Sequence, residues 1–126
     1  MSLTYVSAFN NQFLQFCDDL ITIFPHDNDI KAYKNTFSFI MKSNVRKICN
    51  MFYTNITKIY KDKINNKEET FFLENNYDYI INGDSGYKDL MLKLKQYWNN
   101  LSNENKDSVW KYFQLFCALT LKIYEE

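Results

Sequence analysis

Glycine and proline are nearly missing from this chain. Gly83, Gly86 and Pro25 are the whole supply among 126 residues, where average usage would give roughly 12% for the two types together. Sandwiches, barrels and doubly wound sheets turn tightly many times, so this scarcity argues against each of them. A glycine-rich phosphate loop is excluded too, because Gly83-Asp-Ser-Gly86 is the only glycine pair and no Gly-Lys-Ser/Thr follows it. His26 is the single histidine, which removes any multi-histidine metal site. Arg46 is the single arginine, so the usual bidentate ligand of guanine and phosphate is almost absent. What survives is an all-α chain, one compact domain over residues 1–126 built as a bundle of about five to six helices.

Other lacks bound the setting. Cys17, Cys49 and Cys117 are odd in number, far apart, and set in apolar helical patterns, with no Cys-x-x-Cys. They read as buried reduced thiols in a reducing compartment, not as a disulfide framework or a zinc site. The N-terminus has neither the charged start nor the apolar core of a signal peptide. The richest apolar stretch, Leu115 to Leu121, is broken by Thr120 and falls far short of the ~20 residues that span a bilayer. An intracellular protein without a membrane partner is expected.

Fifteen basic and fifteen acidic residues cancel. The cancellation hides segregation. Residues 1–30 hold four aspartates and no Lys or Arg, residues 31–67 hold nine basic residues against Asp62, and residues 68–89 hold six acids against Lys88. The plainer expectation is that acidic and basic segments face one another in the fold; the sharper one is a basic strip for an anionic partner.

Apolar spacing places the helices. Phe9, Phe13, Phe16, Cys17, Leu20, Ile21 and Phe24 recur at three- and four-residue steps, predicting a helix from about Ser7 to Phe24 that Pro25 stops. Asp27 or Asn28 caps the next helix, which carries Ile30, Tyr33, Phe37, Ile40 and Met41 on one side. Ser43-Asn44 breaks it, and a third helix runs to about Ile64 with Val45, Cys49, Phe52, Ile56 and Ile59 or Tyr60 on its apolar face. Lys47, Lys58 and Lys61 project from the opposite face as a candidate anion-binding surface. Residues 68–81 suggest one or two short helical turns and residues 82–86 a loop. A helix follows from about Tyr87 to Asn100, and a last one, capped by Ser102, reaches about Tyr124.

That last helix is the most informative element. Its polar residues reduce to a stripe of Asp107, Lys111, Gln114 and Lys122, so it must be enclosed, either at the centre of the bundle or with one flank closed by a second chain. The chain has 23 aromatic residues, counting eleven Phe, ten Tyr and two Trp, and a core this small has trouble hiding every ring. Each ring left out would waste on the order of 150–250 Å² of apolar surface. Trp98, Trp110, Phe113 and Phe116 are therefore the candidate protein interface.

No catalytic constellation, metal site or cofactor motif emerges. His26-Asp27-Asn28-Asp29 lacks the glycine and distant glutamate of a calcium loop and reads as helix capping. Asp18-Asp19 and Glu68-Glu69 are adjacent in sequence and point to different sides of a helix, as solvated faces do. A pairing of His26 with a cysteine is opposed by the apolar setting of each thiol.

One resemblance can be drawn. Trp98 stands before Leu101-Ser102, then come Glu104-Asn-Lys106 and Trp110-Lys-Tyr-Phe-Gln114; earlier lie Phe24-Pro25-x-Asp27-x-Asp29-Ile30 and Lys42-x-Asn44-x-Arg46. This pattern of helix ends and aromatic anchors resembles small α-helical proteins of nucleocytoplasmic large DNA viruses. Abundant Asn, Lys, Ile, Phe and Tyr, all with A/T-rich codons, agree with such an origin. The resemblance implies a protein of the host cytoplasm or the virion and brings no active site. The leading functional expectation is a non-enzymatic interaction or virion-component protein that docks onto itself or another protein; the alternative is a nucleic-acid-associated factor using Lys47, Lys58 and Lys61.

Overall fold

Pro25 and the Asp27 cap set the first corner of the molecule. In the computed structural model, which describes residues 3–75, 77 and 86–125, α1 (Leu3–Ile23) ends just before Pro25 and α2 (Asn28–Ser43) begins just after Asp27. Asp27 has extended backbone angles, and its carboxylate accepts a hydrogen bond of 2.9 Å from the Asp29 N–H, which satisfies one of the orphan donors of the first turn. At the far end the Ser43 hydroxyl bonds the Phe39 and Ile40 carbonyls, and the Asn44 N–H donates to Ile40, so the helix closes where the sequence breaks.

The third helix is one rod in three parts: α3 (Lys47–Phe52), a π turn (Tyr53–Thr57) and α4 (Lys58–Asn65). The π turn carries one residue more than an α turn and so sets back everything after it by about 100°. Its effect on the apolar face is direct. Cys49, Phe52 and Ile56 are buried as expected, but Thr57 and Ile64 are the next inward positions, and Ile59 is 57% exposed. Val45, expected on the same apolar face, lies before the rod begins and is exposed.

A short α5 (Thr70–Leu73) follows, then α6 (Tyr87–Tyr97), which tightens into a 3₁₀ turn over Trp98–Asn100, and α7 (Asn103–Glu125). Gly86 precedes α6 with φ at +76°, where a side chain would be strained. The Ser102 hydroxyl accepts from the Asn105 N–H, capping α7 as its sequence suggests. The short helical turn expected within residues 68–81 is α5; residues 76 and 78–81, and the expected loop at residues 82–85, lie outside the described residues. No described helix is long and apolar enough to cross a membrane. Among the described residues the chain is an all-α single-domain bundle of six helical rods.

α7 lies at the centre, against α1 on one side and the α3–α4 rod on the other. Phe116 shows why. Its ring centroid lies 5.2 to 6.0 Å from those of Phe9, Phe13, Phe16, Phe52, Tyr112 and Phe113. A second knot closes the base, where Phe72 stacks on Trp98 at 4.4 Å and meets Trp110 at 5.1 Å. Trp98 and Trp110 themselves pack edge to face at 5.3 Å across the Leu101-Ser102 corner.

These contacts correct the sequence expectation for Trp98, Trp110, Phe113 and Phe116. All four are core residues, none more than 3% exposed, and they offer no surface to a partner. The ring surplus is absorbed in two ways. Nine of the eleven phenylalanines are fully buried. Tyr77 and Tyr87 join them in the core, while Tyr53, Tyr97 and Tyr112 sit at the rim with their hydroxyls on acids: Tyr97 donates to Asp27, Tyr112 to Asp19, and Tyr53 to Glu125 at 2.6 Å. An aromatic with a polar handle needs only partial cover, so counting rings overstates the surface that must be hidden.

Candidate functional site

Where α6 meets the corner between α1 and α2, an open cleft of about 560 Å³ is lined by Phe24, Pro25, His26, Asp27, Lys93 and Tyr97, among others. It is the natural first candidate, being concave with converging polar groups. Phe24 stacks on Tyr97 at 4.1 Å, which forms the apolar wall. Lys93 reaches both Asp27 and Asp29 at 3.1 Å, and the Tyr97 hydroxyl donates to Asp27.

The electrostatics of this cluster follow from its geometry. Burial of the Asp27 carboxyl opposes its ionisation, but the Tyr97 hydroxyl, the Lys93 ammonium and the Asp29 N–H together hold it below the ordinary aspartate range. Burial likewise opposes the charge on Lys93, and the two aspartates outweigh it, so the ammonium is held more firmly than usual. One oxygen of Asp27 is therefore used by the helix cap and the other by Lys93 and Tyr97. A carboxylate bonded on both oxygens and held ionised is not poised to take a proton near neutral pH. The cluster clamps α6 onto the α1–α2 corner.

The thiols are no better placed for chemistry. Burial pushes Cys17 up to about 12 and Cys117 to about 11, and raises Cys49 as well. Thiolate is the reactive form, so these are inert side chains. An Ellman's assay on the folded protein at pH 8 is expected to label none of the three within minutes and all three once the chain is unfolded in guanidinium. Rapid labelling of a native thiol would contradict the burial.

Comparison with known protein families, curated proteins and solved structures finds no match.

The three lysines of the candidate anion-binding surface differ in exposure. Lys58 is exposed and lies 5.9 Å from the Tyr53 ring centroid; Lys47 and Lys61 are half-buried. The π turn sets Lys58 and Lys61 back by about 100° relative to Lys47, so the rod does not carry the continuous face that a strict repeat predicts. Of the basic segment, Lys34 binds Asp18 at 2.6 Å and Lys67 approaches Asp107 at 3.7 Å, so part of the segregated charge does meet its opposite inside the fold.

Sequence reasoning missed the outward apolar side chains. Phe39 is 72% exposed and Leu3 62%, with Ile59, Val45, Tyr5, Leu92 and Leu115 also outside. For Phe39 a signal existed. It is offset by two residues from Phe37 and by two from Met41, both buried, so it lies on the opposite side of α2 from the core face. On α7, the exposed stripe holds Lys111, Leu115, Ala118 and Lys122, while Gln114 turns inward and bonds the Ile64 carbonyl at 3.3 Å.

Proposed function

We propose that this protein is a non-enzymatic helical interaction domain, a bundle that completes its own core and docks a partner protein through apolar side chains left outside it. The observation that carries this reading is Phe39. A chain that fully buries nine phenylalanines leaves this one 72% exposed in mid-helix, where roughly 2 kcal/mol of burial goes unused. Such a ring is what an interface anchor looks like before its partner arrives. The polar clusters support the same reading, because Asp27, Lys93 and Tyr97 are bonded to one another and the thiols are held protonated. The resemblance to small helical proteins of large DNA viruses extends the reading to a partner in the infected cell or the virion.

Selection of a displayed random-peptide library on the folded chain tests it. A shared consensus is expected, with binding weakened by alanine at an exposed apolar position and unaffected by change at Lys47, Lys58 or Lys61. An empty selection, or retention on heparin that the triple substitution K47E/K58E/K61E abolishes, would overturn it, the second in favour of nucleic acid.

A further inference from the structure

Phe39 has charged company. The outward positions of α2 run Lys31, Asn35, Phe39 and Lys42, at steps of four, four and three, which is one side of a helix. All four are exposed, and so is Val45 just beyond the helix end. Two acids beside α2 are engaged elsewhere: Asp18 holds Lys34 at 2.6 Å and Asp29 holds Lys93 at 3.1 Å. Among the described residues neither Lys31 nor Lys42 has an ion-pair partner. The stripe is an aromatic ring between two uncompensated cations.

We propose that this stripe of α2 docks an acidic amphipathic helix of a partner protein, whose apolar side chains cover the Phe39 ring and whose carboxylates meet Lys31 and Lys42. The proposal rests on the interaction reading above and names its surface and its partner chemistry. Charge complementarity selects the occupant. A second copy of α2 would bring the Lys31 and Lys42 of one stripe against those of the other, with no acid on the stripe to offset them. An anionic membrane is disfavoured because one ring and one valine are far less than the broad apolar face that lies in a bilayer interface. Geometry narrows the partner further. Lys31 and Lys42 are separated by ~16 Å along the axis at 1.5 Å per residue, so a helix lying alongside must place its carboxylates about eleven residues apart, with apolar side chains in the turns between.

The test uses the whole chain, labelled with nitrogen-15, and two synthetic helical peptides. One carries glutamates at that spacing with leucines between them, and the other replaces each glutamate with lysine. The acidic peptide is expected to shift amides from residue 31 to 45, and the lysine peptide to leave them unmoved. Phe39→Ala should weaken binding about tenfold with an unchanged thermal melt, since the ring is outside the core. Lys31→Glu with Lys42→Glu should exchange the preference, losing the acidic peptide and gaining the basic one. Failure of the acidic peptide to bind, or equal binding of both peptides, overturns the proposal. Shifts confined to α4 or α7, with the library selection still yielding a consensus, remove the α2 assignment and leave the interaction reading standing. Cosedimentation with phosphatidylserine vesicles that the double charge reversal abolishes would assign the stripe to a membrane and overturn it as well.

Discussion

Phe116→Ala is expected to remove about 4 kcal/mol of stability, near the top of the range for a buried phenylalanine. The ring is fully enclosed and within 6.0 Å of six other rings. Three of those neighbours come from α1, one from α3 and two from α7 itself, so the site cannot collapse without moving whole helices. A domain of this size holds only ~5–15 kcal/mol in total, and the variant is expected to melt more than ~12 °C below the parent. Urea titration followed by circular dichroism measures the loss, with the slope unchanged if unfolding stays two-state. Phe39→Ala, on the same scale, should change stability by less than ~0.5 kcal/mol. If the two substitutions cost the same, α7 is not the centre of the bundle and the division between core rings and outward ring is wrong.

That division is also where the sequence could and could not be read. The corner at Pro25, the cap at Asp27, the break at Ser43 and the cap at Ser102 are local matters, fixed by proline geometry and by short side chains that reach the adjacent backbone; each is present in the fold. Periodicity carried the apolar faces of α1 and α2. In the third helix it held at Cys49, Phe52 and Ile56 and at Tyr60, the alternative to Ile59, but it missed the inward Thr57, because a π turn has no signature in a 3.6-residue repeat. The reason for the π turn is tertiary. It delivers the Thr57 hydroxyl to within 2.8 Å of Thr120 on α7, and Thr120 in turn donates to the Phe116 carbonyl. Two buried hydroxyls partner each other across 63 residues of sequence, which no local pattern announces.

The candidate site shows the same asymmetry. Counting rings against core volume suggested an aromatic interface on α7, because the count treats tyrosine as if it had to be hidden like phenylalanine. Tyr53, Tyr97 and Tyr112 are anchored at the rim by acids far away in sequence and need only partial cover, while Trp98, Trp110, Phe113 and Phe116 are enclosed. What remains outside is smaller and elsewhere, chiefly Phe39 on α2.

Asp27 offers the second large effect, and its dependence on pH has a definite sign. The residue caps α2, pairs with Lys93 and accepts from Tyr97, with its side chain only 9% exposed and that of Lys93 15%. Alanine removes all three bonds and leaves Lys93 with the exposed Asp29 alone, for an expected loss of about 3 kcal/mol from one cap and one charge-assisted pair. Asparagine keeps an oxygen for the Asp29 N–H and loses only the charge, so Asp27→Asn should fall between alanine and the parent. Because the folded protein holds Asp27 below the ordinary aspartate range, the ion-pair contribution is fully present above the unfolded value near ~4 and is lost as pH falls through the folded one. The stability gap between the parent and Asp27→Asn should therefore be constant from pH 7 to 5 and close progressively below pH 4. A gap that does not narrow at all on acidification below pH 4, or that widens, would mean that the carboxylate charge is not what clamps α6 to the corner. Removing Lys93 in the same background completes the cycle. Lys93→Met should cost much less in the Asp27→Asn protein than in the parent, because the two changes remove one shared interaction.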